Sequence, residues 1–318
     1  MGGADIGARI GARAGKGKGF GLTRAKAMRK SSCMRTLYLN GSYIPEAEAK
    51  VSVFDRGFQF SDAVYEVVSV IDGKLIDFNG HITRLTRSLG ELGIMGASGE
   101  ATWLEICRVL VARNDCHEGM IYWQVTRGQP EDRSFYFPPQ GTPPTVVAFT
   151  QNVALVDNAA AGAGITVVTL PDLRWGRADI KTTQLLYASM MKMEAKARGA
   201  DDAWMVRDGL VTEGTSQNAH IVTKDGVLVT HQLNRDILHG ITRIAVLALA
   251  ENLNLRFEER AFSVAEAQDA AEAFVSAASA FVLPVVEIDG VKLGDGKPGP
   301  IALALRKAYI AWARETAI

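Results

Sequence analysis

From Ile165 onward the chain reads strand, helix, strand, and that alternation restricts its architecture more than any other feature. Ile165 to Leu170 is an apolar strand, Thr183 to Arg198 carries helical patterning, and Asp202 to Arg207 is strand again. Turn signals follow at Asp208-Gly209 and Lys224-Asp225-Gly226. This order predicts the α/β (α+β) class rather than a repeat array, and no internal repeat is visible.

The earlier part supplies its own elements. Thr36 to Val53 reads as two short strands around Asn40-Gly41. Asp55 to Val68 leads from a turn into an alternating strand that ends at Asp72-Gly73-Lys74. Gly80 to Leu89 predicts a helix whose core face is Ile82, Leu85, Leu89 and Leu92, and Thr102 to Asn114 predicts another. Met120 to Gly128 is a strand running into a loop, Gln129 to Pro138. Pro/Gly-rich 138–144 and Ala/Gly-rich 158–164 bracket a strand at 145–150, so the chain passes between domains near there. The expected division is a basic extension over 1–33, an N-terminal α/β domain over 34–152, a linker over 153–163 and a C-terminal domain over 164–318.

Composition excludes several classes of function. With 318 residues, 47% hydrophobic and 22% charged, the chain can bury a large core. Lys+Arg and Asp+Glu both number 35, so no net charge draws it to nucleic acid or an anionic membrane. No apolar run approaches the roughly 18 residues that cross a bilayer. Cys33, Cys107 and Cys116 form an odd set without metal-ligand spacing, which fits free thiols in a reducing, cytoplasmic setting. The five histidines lack H-x-x-x-H and H-E-x-x-H spacing, so no metal site is expected. Dinucleotide, P-loop and serine-hydrolase motifs are also missing. Residues 1–33 are Gly/Ala-rich and basic, with Asp5 the one acid. That composition predicts disorder, and among a start-site artefact before Met34, an organelle presequence and a basic arm, an artefact or a functionless extension is preferred.

Two residues carry the chemical expectation. Lys181 follows apolar Ile180 and precedes Thr182-Thr183, where a strand or loop enters a helix. Partial desolvation there favours the neutral amine, the form that attacks an aldehyde. Glu213 stands at the end of the short strand that follows Asp208-Gly209, with Gly214 leaving room beside it. A carboxylate so placed can keep a pyridine nitrogen protonated.

The strings Asp179-Ile180-Lys181 and Val211-Thr212-Glu213-Gly214-Thr215-Ser216-Gln217-Asn218 resemble the class IV aminotransferases, pyridoxal 5'-phosphate enzymes of two-domain fold type IV. The resemblance runs from Met34 to the C-terminus, and is strongest to the D-amino-acid branch. It implies that Lys181 holds the cofactor covalently and shuttles the proton, and that Glu213 meets the ring nitrogen. It further implies that Tyr65, near the end of Asp55 to Glu66, lines the substrate side. Arg84, in His81-Ile82-Thr83-Arg84-Leu85, would take the cofactor phosphate with its forked donors, whereas Arg87 is expected in solvent. In Leu238-His239-Gly240-Ile241-Thr242-Arg243, Ile241 and Thr242 would hold the phosphate at a helix N-terminus, Leu238 would support the ring, and His239 would stand by. In Phe274 to Ala280 the resembled family is hydroxyl-rich; here Ala277 and Ala278 stand at the centre, so Ala278 would contribute backbone N–H.

The loop from Gln129 departs from the pattern. The D-amino-acid branch carries R-x-H there to trap the substrate carboxylate; Arg133 matches the arginine, but Phe135 stands where the histidine would be. A phenyl ring at that place weakens carboxylate binding and tolerates apolar groups. The expected reaction is transamination between a D-alanine-like amino acid and a 2-keto acid. Alternatives are an (R)-selective amine transaminase, a branched-chain L-amino-acid aminotransferase, an aminodeoxychorismate lyase, or a cofactor carrier without turnover. The resemblance also implies a homodimer whose pockets take residues from the neighbouring subunit.

Overall fold

A computed structural model describes residues 34–318, which form one compact unit. The basic stretch expected over 1–33, Cys33 included, lies outside the described residues. The first half contains β1 (Thr36–Leu39), β2 (Ser42–Pro45), α1 (Arg56–Phe60), β3 (Ala63–Ile71), β4 (Lys74–Leu75), α2 (Phe78–Leu92), α3 (Glu100–Arg113), β5 (Gly119–Thr126) and β6 (Val146–Asn152). Its six strands make an antiparallel sheet in the order β2-β1-β6-β5-β3-β4. Strand pairing in the expected stretch to Val53 stops at Pro45, because β1 begins at Thr36 and offers no partner further on. Val64 and Val68 of β3, Ile82, Leu85 and Leu89 of α2, and the stacked Trp103 and Trp123 close one core. Each such fully buried large side chain stabilises the fold by about 1.5–3 kcal/mol.

The second half contains α4 (Ala159–Ala163), β7 (Ile165–Pro171), α5 (Leu186–Ala197), β8 (Asp202–Arg207), β9 (Leu210–Gly214), β10 (Asn218–Val222), β11 (Leu228–Thr230), α6 (Ile241–Asn252), β12 (Phe257–Glu259), α7 (Val264–Asp269), β13 (Glu272–Ala277), β14 (Phe281–Ile288), β15 (Val291–Lys292) and α8 (Pro300–Thr316). They build a mixed nine-stranded sheet ordered β12-β11-β10-β13-β14-β7-β8-β9, with β15 paired to β14. The strand–helix–strand reading is realised as parallel β7 and β8 joined through α5.

One helix start differs from the sequence reading in a way that bears on the site. α5 begins at Leu186, not Thr183, because residues 181–183 are taken up by β3: Tyr65 N–H donates to Lys181 O (3.0 Å) and Thr183 N–H to Ala63 O (3.1 Å). α6 begins at Ile241 with Gly240 at its N-cap, so Ile241 and Thr242 stand in the first turn as expected. A further core joins the halves: Ile71 and Ile76 pack with Val246 and Ala250 of α6 and with Leu305 and Tyr309 of α8. No helix of the described residues is long and apolar enough to cross a membrane.

Candidate active site

A cavity of about 690 Å³ opens where the two sheets meet, within the size range that holds small ligands. Its lining includes Tyr65, Arg84, Lys181, Glu213, Leu238, Ile241, Thr242 and Ala278. Residues spread over more than two hundred positions therefore share one hollow.

At one wall stands Lys181. Ile180 is buried in the core of the first sheet, and the backbone bonds to β3 fix the next residues, so the lysine is held from both sides. Its Nζ lies 4.1 Å from the centroid of the Tyr65 ring, close enough for the ring face to orient an ammonium. Tyr65 stacks in turn on Tyr122 of β5.

Opposite this wall, Glu213 is buried on β9 with every carboxylate contact a donor. Arg174 Nη1 reaches Oε1, while Asn218 Nδ2 (3.0 Å) and the Leu238 amide (3.1 Å) donate to Oε2. Burial pushes the Glu213 carboxyl up from its ordinary range, and the Arg174 guanidinium opposes that rise. Arg174 is itself held by Asp172 (2.8 Å) and by the Asp236 carbonyl. Asn218 fits only because residue 240 is glycine: a Cβ there would lie 2.0 Å from Asn218 Oδ1. Arg174 was not among the residues singled out from the sequence, although the pair Asp172-x-Arg174 upstream of Lys181 is a usable signal.

The third wall is made of donors. α6 starts at the cavity without a side-chain cap, leaving the first-turn N–H groups of Ile241 and Thr242 for a ligand. Arg84 approaches from α2. Its Nε and Nη2 bond Glu66 at 2.7 and 2.8 Å, and Nη1 bonds the His239 carbonyl at 2.9 Å. One N–H on each Nη is left by these contacts. His239 turns its ring to the Asn234 carbonyl, as a bystander would. The Ala278 carbonyl accepts from Ser69 Oγ of β3 (2.7 Å), which pins the loop after β13 against the first sheet.

Glu66 was missed because it sits on the core face of β3 between Val64 and Val68, where a carboxylate should itself have drawn attention. It also accepts from His81 Nδ1 (2.7 Å). Burial alone would raise this carboxyl, but Arg84 and His81 bring it down to about 2. A folded-state pKa below the unfolded value means stability that is present above about pH 4.5 and is lost as pH falls toward 2. Glu66→Gln should flatten the acid limb of Tm against pH in that window, by on the order of 3 kcal/mol. An unchanged limb would show that Glu66 does not set acid stability.

Other residues lie elsewhere than expected. Arg87 is bridged to Asp179 and to Glu91 rather than free in solvent. Arg133 and Phe135 do not line the cavity of their own chain. They sit on an exposed loop beside Phe60, a cavity residue, with Phe135 edge-on to its ring at 5.4 Å and Arg133 over it at 4.8 Å. Buried Arg56 holds that loop through the carbonyls of Ser134 and Tyr136. The donor set as a whole fits pyridoxal 5'-phosphate: an amine, a buried carboxylate backed by a cation, and a forked cation beside a helix N-terminus.

The family model for amino-transferase class IV matches residues 63–288. A D-alanine aminotransferase of Staphylococcus aureus (strain MSSA476) is 40% identical over 276 residues, 87% of this chain and 97% of its own. Another, of Bacillus licheniformis, is 39% identical over 275 residues, covering 86% and 95%. Among solved structures, the branched-chain amino acid aminotransferase of Escherichia coli superposes with a TM-score of 0.80 at 23% identity, over 88% of this chain and 95% of its own. This likeness shows the shared fold type IV architecture.

Proposed function

Since the chain belongs to the class IV aminotransferases, we propose that it uses pyridoxal 5'-phosphate to exchange an amino group between a D-alanine-like amino acid and a 2-keto acid such as pyruvate or 2-oxoglutarate. The observation that carries this reading is the meeting of Lys181, the Glu213–Arg174 pair and the Arg84–α6 donors on one cavity. The relatives named D-alanine aminotransferase, at about 40% identity over nearly their whole length, direct the substrate choice.

When bound, the cofactor's protonated pyridine ring accepts the electron pair released at the substrate Cα. Glu213 would hold the proton on the ring nitrogen, with Arg174 favouring the ionised form of its carboxyl. Lys181 would hold the cofactor through its Nζ and, as the amine at the site, would carry the proton taken from the substrate Cα. Arg84, Ile241 and Thr242 would clasp the phosphate, with Ala278 N–H beside them, and Leu238 would support the ring. Tyr65 orients Lys181 and borders the substrate.

Arg133 supplies the carboxylate trap to a neighbouring subunit's pocket in this reading, which is why it lies outside its own. The exposed stripe Leu186, Met190 and Met193 on α5, and the exposed Phe135, Tyr136 and Phe137, are apolar surface of the kind that homodimers bury. At micromolar concentration the protein should elute at twice its chain mass; elution as a monomer would remove the dimer from the account. Buried free Cys107 and Cys116 suit a reducing cytoplasm.

A half-reaction assay tests the function. The yellow enzyme is mixed separately with D-alanine, L-leucine and (R)-1-phenylethylamine, and loss of its visible absorbance is followed. D-Alanine should react fastest. Reaction with L-leucine alone would overturn the reading, and a fast reaction with the carboxylate-free amine would favour the (R)-amine alternative that Phe135 suggests.

A further inference from the structure

Ala277, which ends β13, and Ala278 just after it put alanines where hydroxyls would serve a phosphate, yet a hydroxyl stands one residue earlier. Ser276 lines the cavity while being almost wholly buried. It pairs directly across the sheet with Asn218, so both side chains share the face on which the Glu213 contacts lie. α6 packs on β13, and Ser276 lines the same cavity as Ile241 and Thr242 of the first turn of α6.

Behind Ser276 is a polar residue the proposed mechanism does not use. His220, on the same face of β10, is completely buried, and its ring stacks on Phe274 at 4.6 Å. Its Nε2 meets Ser276 Oγ at 2.8 Å, whereas its Nδ1 has no partner. Burial holds the ring's pKa well below its ordinary value, so one nitrogen carries a proton and the other does not. A buried N–H without an acceptor is a rarer and costlier defect than an acceptor without a donor. The proton therefore belongs on Nε2. His220 then donates to Ser276 Oγ, and the serine's own O–H is left to point into the cavity.

We propose that His220 is a positioning residue that aims the Ser276 hydroxyl at the cofactor phosphate, adding a donor from the sheet floor to those of Arg84 and α6. A hydroxyl there makes good in part for the alanines at 277 and 278. This inference rests on the reading of the cavity as a pyridoxal 5'-phosphate site.

The test is a titration of the full-length protein, freed of cofactor, with pyridoxal 5'-phosphate and with pyridoxal, followed by absorbance and by intrinsic fluorescence. Ser276→Ala should raise the Kd for pyridoxal 5'-phosphate by about ten-fold and leave that for pyridoxal unchanged. His220→Phe keeps the stacking but removes the donor, and should raise the first Kd by roughly three- to ten-fold, with no further effect in the Ser276→Ala background. His220→Gln, which restores an N–H near the place of Nε2, should recover most of the loss. An unchanged Kd in Ser276→Ala overturns the proposal, even if the His220 variants do not fold. Equal weakening of both ligands by His220→Phe, or effects of the two substitutions that multiply, would also overturn it by leaving only a packing role. A wild-type protein that binds neither ligand would instead refute the cofactor reading itself, so the two failures are distinguishable.

Discussion

A Lys181→Ala protein is expected to lose the visible absorbance of the lysine-bound cofactor and to transaminate about 10^4-fold more slowly than wild type. The size of the effect follows from the geometry. Among the described residues that line the cavity, Lys181 is the sole lysine, so no second amine can take over the attachment or the proton transfer. The substitution should leave the fold intact, because the segment is held by Ile180 in the core and by backbone bonds to β3, neither of which needs the lysine side chain. Single-turnover kinetics with D-alanine and a thermal melt would check both parts. Turnover within ten-fold of wild type would show that the anchoring amine lies elsewhere.

Glu213→Gln should have the next largest effect, a fall in kcat of about 10^2- to 10^3-fold, as for loss of one preorganised charge facing the reacting centre. The exchange is nearly isosteric but electrically severe. Both oxygens of Glu213 face only donors, Arg174 on one side and Asn218 with the Leu238 amide on the other. A glutamine must therefore turn its NH2 toward a donor whichever way it flips, which should also cost about 1–3 kcal/mol of stability. The cofactor should remain attached through Lys181, so visible absorbance persists while turnover drops. A kcat within a few-fold of wild type would mean that the ring nitrogen needs no carboxylate.

How much of this was legible in the sequence depends on whether a contact is local. Lys181, Glu213, Ile241 and Thr242 belong to short strings whose order carries the chemistry, and the cavity gathers all four. The strand–helix–strand pattern of 165–207 likewise needs only local periodicity. Contacts made across elements were not readable. Nothing in the string around Arg84 announces that Glu66, eighteen residues earlier, will occupy its fork. Arg174 lies close to Lys181 in sequence but earns its place through Glu213, thirty-nine positions on. His220 and Ser276 meet only because β10 and β13 pair antiparallel. Arg87 misled for the same reason: its acid, Asp179, is ninety-two residues away. A helix start failed where tertiary bonding claimed the backbone first, as β3 does with residues 181–183.

That claim of β3 on the lysine segment has a mechanical consequence. The first sheet grips Lys181 and α2, packed on it, carries Arg84, whereas Glu213 lies on the second sheet and α6 packs against it. A cofactor bonded to the lysine at one point and held at its ring nitrogen and phosphate at others, as proposed, would be a rivet through the seam. Any motion that parts the sheets would first have to break it, so binding free energy would become resistance to shear between the halves.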